Sequence, residues 1–427
     1  MDKRIYDFIS NVDAYYNIYL QKNIQISKII FFLLMFFILN SIYSQYDNYP
    51  YIKNSELESY NINKNLNIFH DKLDLVKNKN AGIKVFQIGA SHVQAAFWTK
   101  KTREQFEDYL QLDSSSLGLV FPYNILKQNC PYYYDFSYSA NWNISKISDK
   151  NIERNIGIMG ITAYTNDVCG ELNFKISNSV QSEKYKFNKI TIFHNSEDTT
   201  YSLNIIPKTI VKSVETNAEQ QTTTFFLNTL TDNFKFEAEK KDTTNGEFLF
   251  YGAYLENTKS LFSYCGIGIN GASTSSYFKA NLLFEQLNVL KPDLVIFSIG
   301  VNDAVSNVFD ENKYYENYKI LINSVLKQNK DCAIILTTNN DFYNYKGIWN
   351  PNQEKIAETM CRLSEYFSCS VWNLYEIMGG KKSINKWKED SLAQKDRIHF
   401  TRDGYTILAE LFFNAIIKDY SFLKKQE

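Results

Sequence analysis

Residues 83–92 read Ile-Lys-Val-Phe-Gln-Ile-Gly-Ala-Ser-His. The run Ile83 to Ile88 is apolar enough for a strand buried on both faces, and Gly89 stops it. A helical pattern follows from about His92 to Leu110, carrying Ala95, Ala96, Trp98 and Phe106. Strand, tight turn and helix leave Ser91 in the turn. Ser is a common helix N-cap because its oxygen accepts a backbone N–H. The same turn also exposes a serine hydroxyl as a nucleophile.

The alternation resumes after about residue 260. Strands are predicted at Leu261–Ile267, Leu294–Ile299, Ala333–Thr338 and Ser370–Leu374, with helices near Ser275–Leu290, Asn312–Lys327, Gln353–Phe367 and Asp403–Lys418. Together with the strand before Ser91 this predicts a three-layer α/β/α sandwich around a five-stranded parallel sheet. Residues 45 to about 80 read as a polar lead-in with one short helix near Leu66–Val76. Between about 120 and 260 short runs alternate with period two, such as Leu172–Ile176, Lys189–Phe193, Phe234–Ala238 and Phe248–Tyr254. That pattern predicts an all-β sandwich, with a longer polar loop near Lys212–Gln221. The expected organisation is a catalytic domain in two parts, 45–120 and 261–427, interrupted by a β-sandwich at 121–260. The sandwich either presents aromatics to a ligand or serves as a scaffold that shapes the cleft.

The chain has 427 residues, 44% of them hydrophobic, and a formal net charge of −1. No global field attracts nucleic acid, and no basic run with interleaved aromatics appears. Residues 1–44 read as an export signal: Lys22 and Lys28 precede the apolar stretch Ile29–Leu39, and Ser44 offers a small exit residue. Eleven apolar residues fall short of the ~20 that span a bilayer. Left uncleaved, the segment would act as an N-terminal anchor, the one route by which the membrane enters as a partner. The expected location is the periplasm or the cell surface. The six cysteines (Cys130, Cys169, Cys265, Cys332, Cys361 and Cys369) have no CxxC spacing, and their spacing selects no disulfide pairing. Cys265 and Cys332 lie in apolar runs and read as buried thiols.

Three further motifs carry chemistry. Asn302 follows the run Leu-Val-Ile-Phe-Ser-Ile-Gly-Val, where a turn favours Asn and where a side-chain amide can also donate to an oxyanion. Asp396 and His399 stand three apart before the last helix. In that arrangement a carboxylate selects an imidazole tautomer and leaves the other nitrogen to take a serine proton. The pair also suits a helix cap or a surface ion pair. Of the other histidines, His70 and His194 have no evident partner, and His92 is expected to point along the helix start. Gly266-Ile-Gly268-Ile-Asn-Gly271 matches GxGxxG after a strand. The acid that would hold a ribose is missing, since Glu285 falls mid-helix and Asp293 begins a strand, so no nucleotide cofactor is expected. Its other use is a tight loop that turns the Gly271 amide toward an oxyanion. No HExxH and no Cys/His cluster suggests a metal.

Ser91, Gly271 and Asn302, each just past a strand, and His399 before the last helix, in that order, resemble the SGNH (GDSL-type) hydrolases over about 83–120 and 261–420. The likeness is to the peptidoglycan O-acetylesterase-like branch, with His after Ser, Ile-Asn-Gly-Ala at Ile269–Ala272 and an interrupting β-sandwich. The resemblance implies a flavodoxin-like sheet and a serine esterase without cofactor. Ser91, Asp396 and His399 would be catalytic. Ser91, Gly271 and Asn302 would form the oxyanion hole, and an acylated polysaccharide would be the substrate. An O-acyltransferase using the same residues and a glycan-binding protein with a decayed site are the alternatives. The family's first block usually reads Gly-Asp-Ser, and Ala90 replaces the Asp, which brings the order of the loop into question.

Overall fold

Five parallel strands form the central sheet, in the spatial order Phe262–Gly268, Ile83–Gly89, Leu294–Ser298, Ala333–Thr337, Ser370–Trp372. The computed structural model describes residues 48–128, 130–241, 245–305 and 309–425. The expected leader at 1–44 lies outside them. The chain divides into Met1–Lys53 and Asn54–Glu427. Of the first unit only 48–53 are described, a turn in which the Ile52 amide donates to the Tyr49 carbonyl at 2.9 Å. Among the described residues no helix is long and apolar enough to cross a membrane.

The sheet has a sixth strand that the sequence did not suggest. Leu57–Ser59 pairs antiparallel with Ser370–Trp372, making the sheet mixed. Three residues are too few to display a period of two, so this strand is silent in the sequence. Its place is set by the open backbone edge of Ser370–Trp372, which it covers.

Helices cover both faces. Val295, Phe297, Ile334 and Leu336 belong to one buried cluster with Tyr314, Tyr318, Leu321 and Met360, which come from the helices Glu311–Gln328 and Asn352–Phe367. On the other face Trp98, Trp372 and Phe412 meet with ring centroids 5.0–5.9 Å apart. They tie the helices Phe97–Tyr109 and Arg402–Leu423 to the sheet. Two predicted helices are interrupted. The one after Ser91 breaks at Ala96, whose φ of +62° is left-handed, and restarts at Phe97. The stretch Ser275–Leu290 becomes a 3₁₀ turn at Thr274–Lys279 and a helix at Leu283–Val289. Between those two pieces Asn281 accepts from the Ile156 amide and the Leu282 amide donates to the Ile156 carbonyl. Tertiary hydrogen bonds there replace the helical ladder.

Register brings the ends of three strands into line. Gly89 stands opposite Gly268 on one side and Ser298 on the other. Ser91, Gly271 and Asn302, each two to four residues further on, therefore emerge at one edge of the sheet. The close approach there demands glycine. A Cβ on Gly268 would sit 2.4 Å from the Gln94 amide nitrogen and 2.8 Å from the Ala90 carbonyl oxygen, both backbone atoms. Gly268→Ala is expected to cost about 1–3 kcal/mol of stability, as overpacking does, measured by urea unfolding. An unchanged midpoint would show that the Ser91 turn yields freely.

Between Ile83–Gly89 and Phe262–Gly268 the chain builds two antiparallel sheets. A seven-stranded sheet includes Val211–Asn217, Thr222–Thr231, Phe187–His194, Phe248–Glu256, Ile161–Thr165, Asn143–Lys146 and Gly118–Val120. A four-stranded sheet has the order Tyr134–Ser139, Cys169–Ile176, Asn233–Lys240, Tyr201–Ile206. Phe174, Phe234 and Phe236 of the smaller sheet meet Phe187, Phe248 and Phe250 of the larger at centroid distances of 5.7–6.0 Å. These aromatics are buried in the core rather than displayed. The polar stretch expected as a loop near Lys212–Gln221 is instead mostly strand. Val211–Asn217 is an exposed edge strand whose backbone pairs with Thr222–Leu227 while its side chains bury almost nothing. A ladder made by the backbone alone leaves no hydrophobic pattern to read.

Candidate active site

Ser91 opens a four-residue helix directly after its strand. The turn is held by the Val93 and Gln94 amides, both donating to the Ala90 carbonyl at 3.0 Å. The Tyr277 hydroxyl donates to the Gly89 carbonyl at 2.5 Å. Gln94 Oε1 accepts from the Asn270 amide at 2.6 Å, which ties the Ser91 turn to the Gly271 loop. Ala90 itself is buried, and these bonds order the loop without an Asp at that position.

Ser91 Oγ lies 2.9 Å from His399 Nε2, and His399 Nδ1 lies 2.7 Å from Asp396 Oδ2. Burial opposes ionisation of Asp396, but hydrogen bonds from His399 Nδ1 and from the Ile398 and His399 amides outweigh it and hold the carboxyl at about 2. An ionised carboxylate requires the proton on Nδ1. Nε2 is then the acceptor and the Ser91 hydroxyl the donor. Arg397, at φ +55°, bends the segment so that Asp396 and His399 face one another. The loop after the strand Ala333–Thr337 anchors this bend: Asn340 Nδ2 donates to the Ile398 carbonyl, and the Tyr343 amide donates to the Arg397 carbonyl. Asn340 carries no sequence signal of its own, because Asn is common in any loop.

Gly271 has φ +79°, and the turn around it is closed by the Ala272 amide donating to the Ile269 carbonyl at 3.0 Å. Asn302 sits on the short helix Val301–Ala304 and donates one Nδ2 hydrogen to the Ala272 carbonyl at 2.9 Å. The second hydrogen of that amide is thereby oriented by the first. Ser91, Gly271, Asn302 and His399 all line one cleft of about 430 Å³, together with Phe97, Tyr345, Arg402 and Tyr405. All the expected site residues are thus brought to one place, with Asp396 directly behind His399. A larger hollow of about 650 Å³ lies at the opposite, N-terminal edge of the sheet. Four of its charges are already paired, Lys72 with Asp293 and Lys84 with Glu256.

Two supporting groups escape a sequence reading. His92 does not run along the helix start. Its ring packs on the His399 ring at 5.2 Å and its Nδ1 bonds Tyr405 Oη at 2.8 Å. Burial, then the neighbouring His399, lowers its pKa to about 3, so it adds no charge beside His399 near neutrality. Asp303 accepts from the Thr274 amide and hydroxyl and so braces the Gly271 loop against Asn302. Burial raises its carboxyl to about 6 despite those bonds.

A carboxyl raised on folding binds protons more tightly in the native state. Its contribution to stability therefore falls as pH rises from about 4 to about 6. Asp419, also raised to about 6 by burial, slopes the same way, so the difference between proteins is the readout. Asp303→Asn is expected to flatten the decline in urea midpoint between pH 4.5 and pH 7 relative to the parent. Parallel profiles would remove Asp303 from the titration.

Residues 241–407 match the model of the GDSL-like lipase/acylhydrolase family. The match begins after Ser91, as expected when a long insertion separates the first strand and turn from the rest. No curated protein matches the chain. Among solved structures, that of a peptidoglycan O-acetylesterase superposes with a TM-score of 0.72 at 19% identity, covering 86% of this chain and 99% of the other. That share is too large to omit the inserted sheets, and the likeness shows the SGNH hydrolase fold. An acetyl xylan esterase covers 36% of this chain and 81% of its own (18% identity, TM-score 0.31). A family two carbohydrate esterase from Cellvibrio japonicus covers 68% and 99% (11% identity, TM-score 0.27).

Proposed function

We propose that this chain, a carboxylic ester hydrolase by class, removes short acyl groups, acetyl foremost, from a polysaccharide of the cell wall through an acyl-enzyme. The observation that carries the reading is the continuous chain of contacts from Ser91 Oγ through His399 to Asp396, in the cleft that Gly271 and Asn302 line.

The steps follow from the atoms. His399 Nε2 takes the Ser91 proton as Oγ attacks the ester carbonyl carbon. The resulting oxyanion is received by the Ser91 and Gly271 amides and the Asn302 side chain. Asp396 keeps the imidazole in its tautomer and offsets the charge it gains. Collapse of the intermediate expels the sugar oxygen, which leaves with the proton from His399. Water, deprotonated by the same nitrogen, then releases the acid and restores Ser91.

The peptidoglycan O-acetylesterase that shares this fold supports a wall glycan as substrate. The basic and apolar stretch before residue 44 supports export to the compartment where such glycans lie. Acetate release from a panel of O-acetylated wall and plant polysaccharides, run beside Ser91→Ala, tests the proposal. Including a glycan acceptor and an acetyl donor separates hydrolysis from acyl transfer, since a transferase returns an acetylated glycan instead of free acetate.

A further inference from the structure

The geometry points to a glycan bearing a carboxylate next to its acylated sugar, with Arg402 as the residue that reads that carboxylate. This inference rests on the ester reading of the cleft and adds the substrate's charge class.

Arg402 lines the cleft with Ser91 and His399. It makes no ion pair among the described residues. Its guanidinium stands 5.4 Å from the centre of the Tyr132 ring. Tyr132 stacks on Phe97 at 5.1 Å and an interplanar angle of 13°, and Phe97 stacks on Tyr405 at 6.3 Å and 14°. Three near-parallel rings therefore form a ledge that leads from the cleft to the guanidinium. Tyr345, 76% exposed, stands free on the lining of the same cleft. The stacked rings cover one another's faces, and the exposed face of Tyr345 is the one that suits the apolar side of a sugar ring.

Cations outnumber acids around the mouth. Arg397 lies 3.8 Å over the Tyr343 ring and, like Arg402, has no ion pair among the described residues. Lys346 and Lys395, both exposed, belong to the same two loops. The acids near Arg402 are Asp396, held by His399, Glu104, paired with Lys100, and the exposed Asp403. The whole chain carries −1, so this local excess of cations is not a consequence of composition. A guanidinium beside an aromatic ring keeps its five donors for an acid, and its fork matches a carboxylate through two hydrogen bonds. A sugar held in the cleft would bring an acid group to Arg402 while the ester meets Ser91.

The test compares kcat/KM on three soluble O-acetylated oligosaccharides: one with muramic acid, one with uronic acid and one neutral xylo-oligosaccharide. Wild-type enzyme is expected to favour a carboxylated substrate about tenfold or more, less so at high salt. Arg402→Gln should bring that ratio near one, and Arg402→Glu should invert it. Converting the substrate's carboxylate to a methylamide should reproduce the Gln result on unaltered enzyme, which makes the answer independent of any variant's folding. The carboxylated substrate whose ratio depends on Arg402 identifies the source of the acid. Equal ratios in wild type and both variants overturn the inference. Wild type that releases acetate from none of them overturns the ester reading itself, a separate outcome.

Discussion

Ser91→Ala is expected to lower kcat for acetyl ester hydrolysis by at least about ten-thousandfold, because removing the nucleophile of such a triad disables the whole unit. The argument is geometric. Ser91 Oγ is the group within 2.9 Å of His399 Nε2, and the other imidazole nitrogen is committed to Asp396. Tyr405 Oη, which also reaches the cleft, bonds His92 instead. The variant should also resist covalent labelling by a fluorophosphonate while keeping the parent's unfolding transition, since the hydroxyl is not a cap that holds the turn. The Ala90 carbonyl and Tyr277 do that work. Labelling at the wild-type rate would place the nucleophile elsewhere.

Asn302→Ala is expected to lower kcat about a hundredfold or more with KM nearly unchanged, the loss of about 3–4 kcal/mol of transition-state stabilisation that follows removal of one oxyanion donor. Its amide has two hydrogens. One is fixed on the Ala272 carbonyl at 2.9 Å, and this bond determines where the other points. The variant therefore removes a donor and frees the Gly271 loop on that side, although Asp303 still holds Thr274. Asn302→Asp keeps the shape but offers no N–H, and should be as impaired as the Ala variant. Wild-type turnover in either would remove Asn302 from the oxyanion hole. The acid side of the pH profile adds a check. Asp396 sits at about 2 and His92 at about 3, so neither accounts for a loss of activity above about pH 4. Any such loss belongs to another group.

Local pattern carried much of the architecture. The buried strands beginning at Ile83, Leu294 and Ala333 announced themselves because a strand covered on both faces must be apolar along its whole length. The sandwich strand Phe234–Ala238 did so because one face of it is buried, and Lys189–Phe193 because it is apolar at Ile190, Ile192 and Phe193. Where burial does not accompany pairing, the signal vanishes. Val211–Asn217 pairs through its backbone while its side chains stay in water, and Leu57–Ser59 is too short for any period. Ala96 looked like a helix interior, yet its left-handed φ ends one helix and begins another. Nothing in an alanine foretells that, since the conformation is imposed by the packing on either side.

What the chain's own residue order determined is the list of chemical groups and the element each one adjoins: Ser91, Gly271 and Asn302 after strands, then Asp396 with His399 before the last helix. That much is local, because each polar residue stands within a few positions of the element that marks it. Only the folded molecule decided that these groups meet. Parallel register sets Gly89 beside both Gly268 and Ser298, so three turns separated by up to about two hundred residues open on one edge. Only the fold, too, recruited His92, Asn340, Asp303 and the Arg402 ledge. Their roles are made by partners distant in sequence, and a contact between distant segments leaves no trace in the local spacing of either.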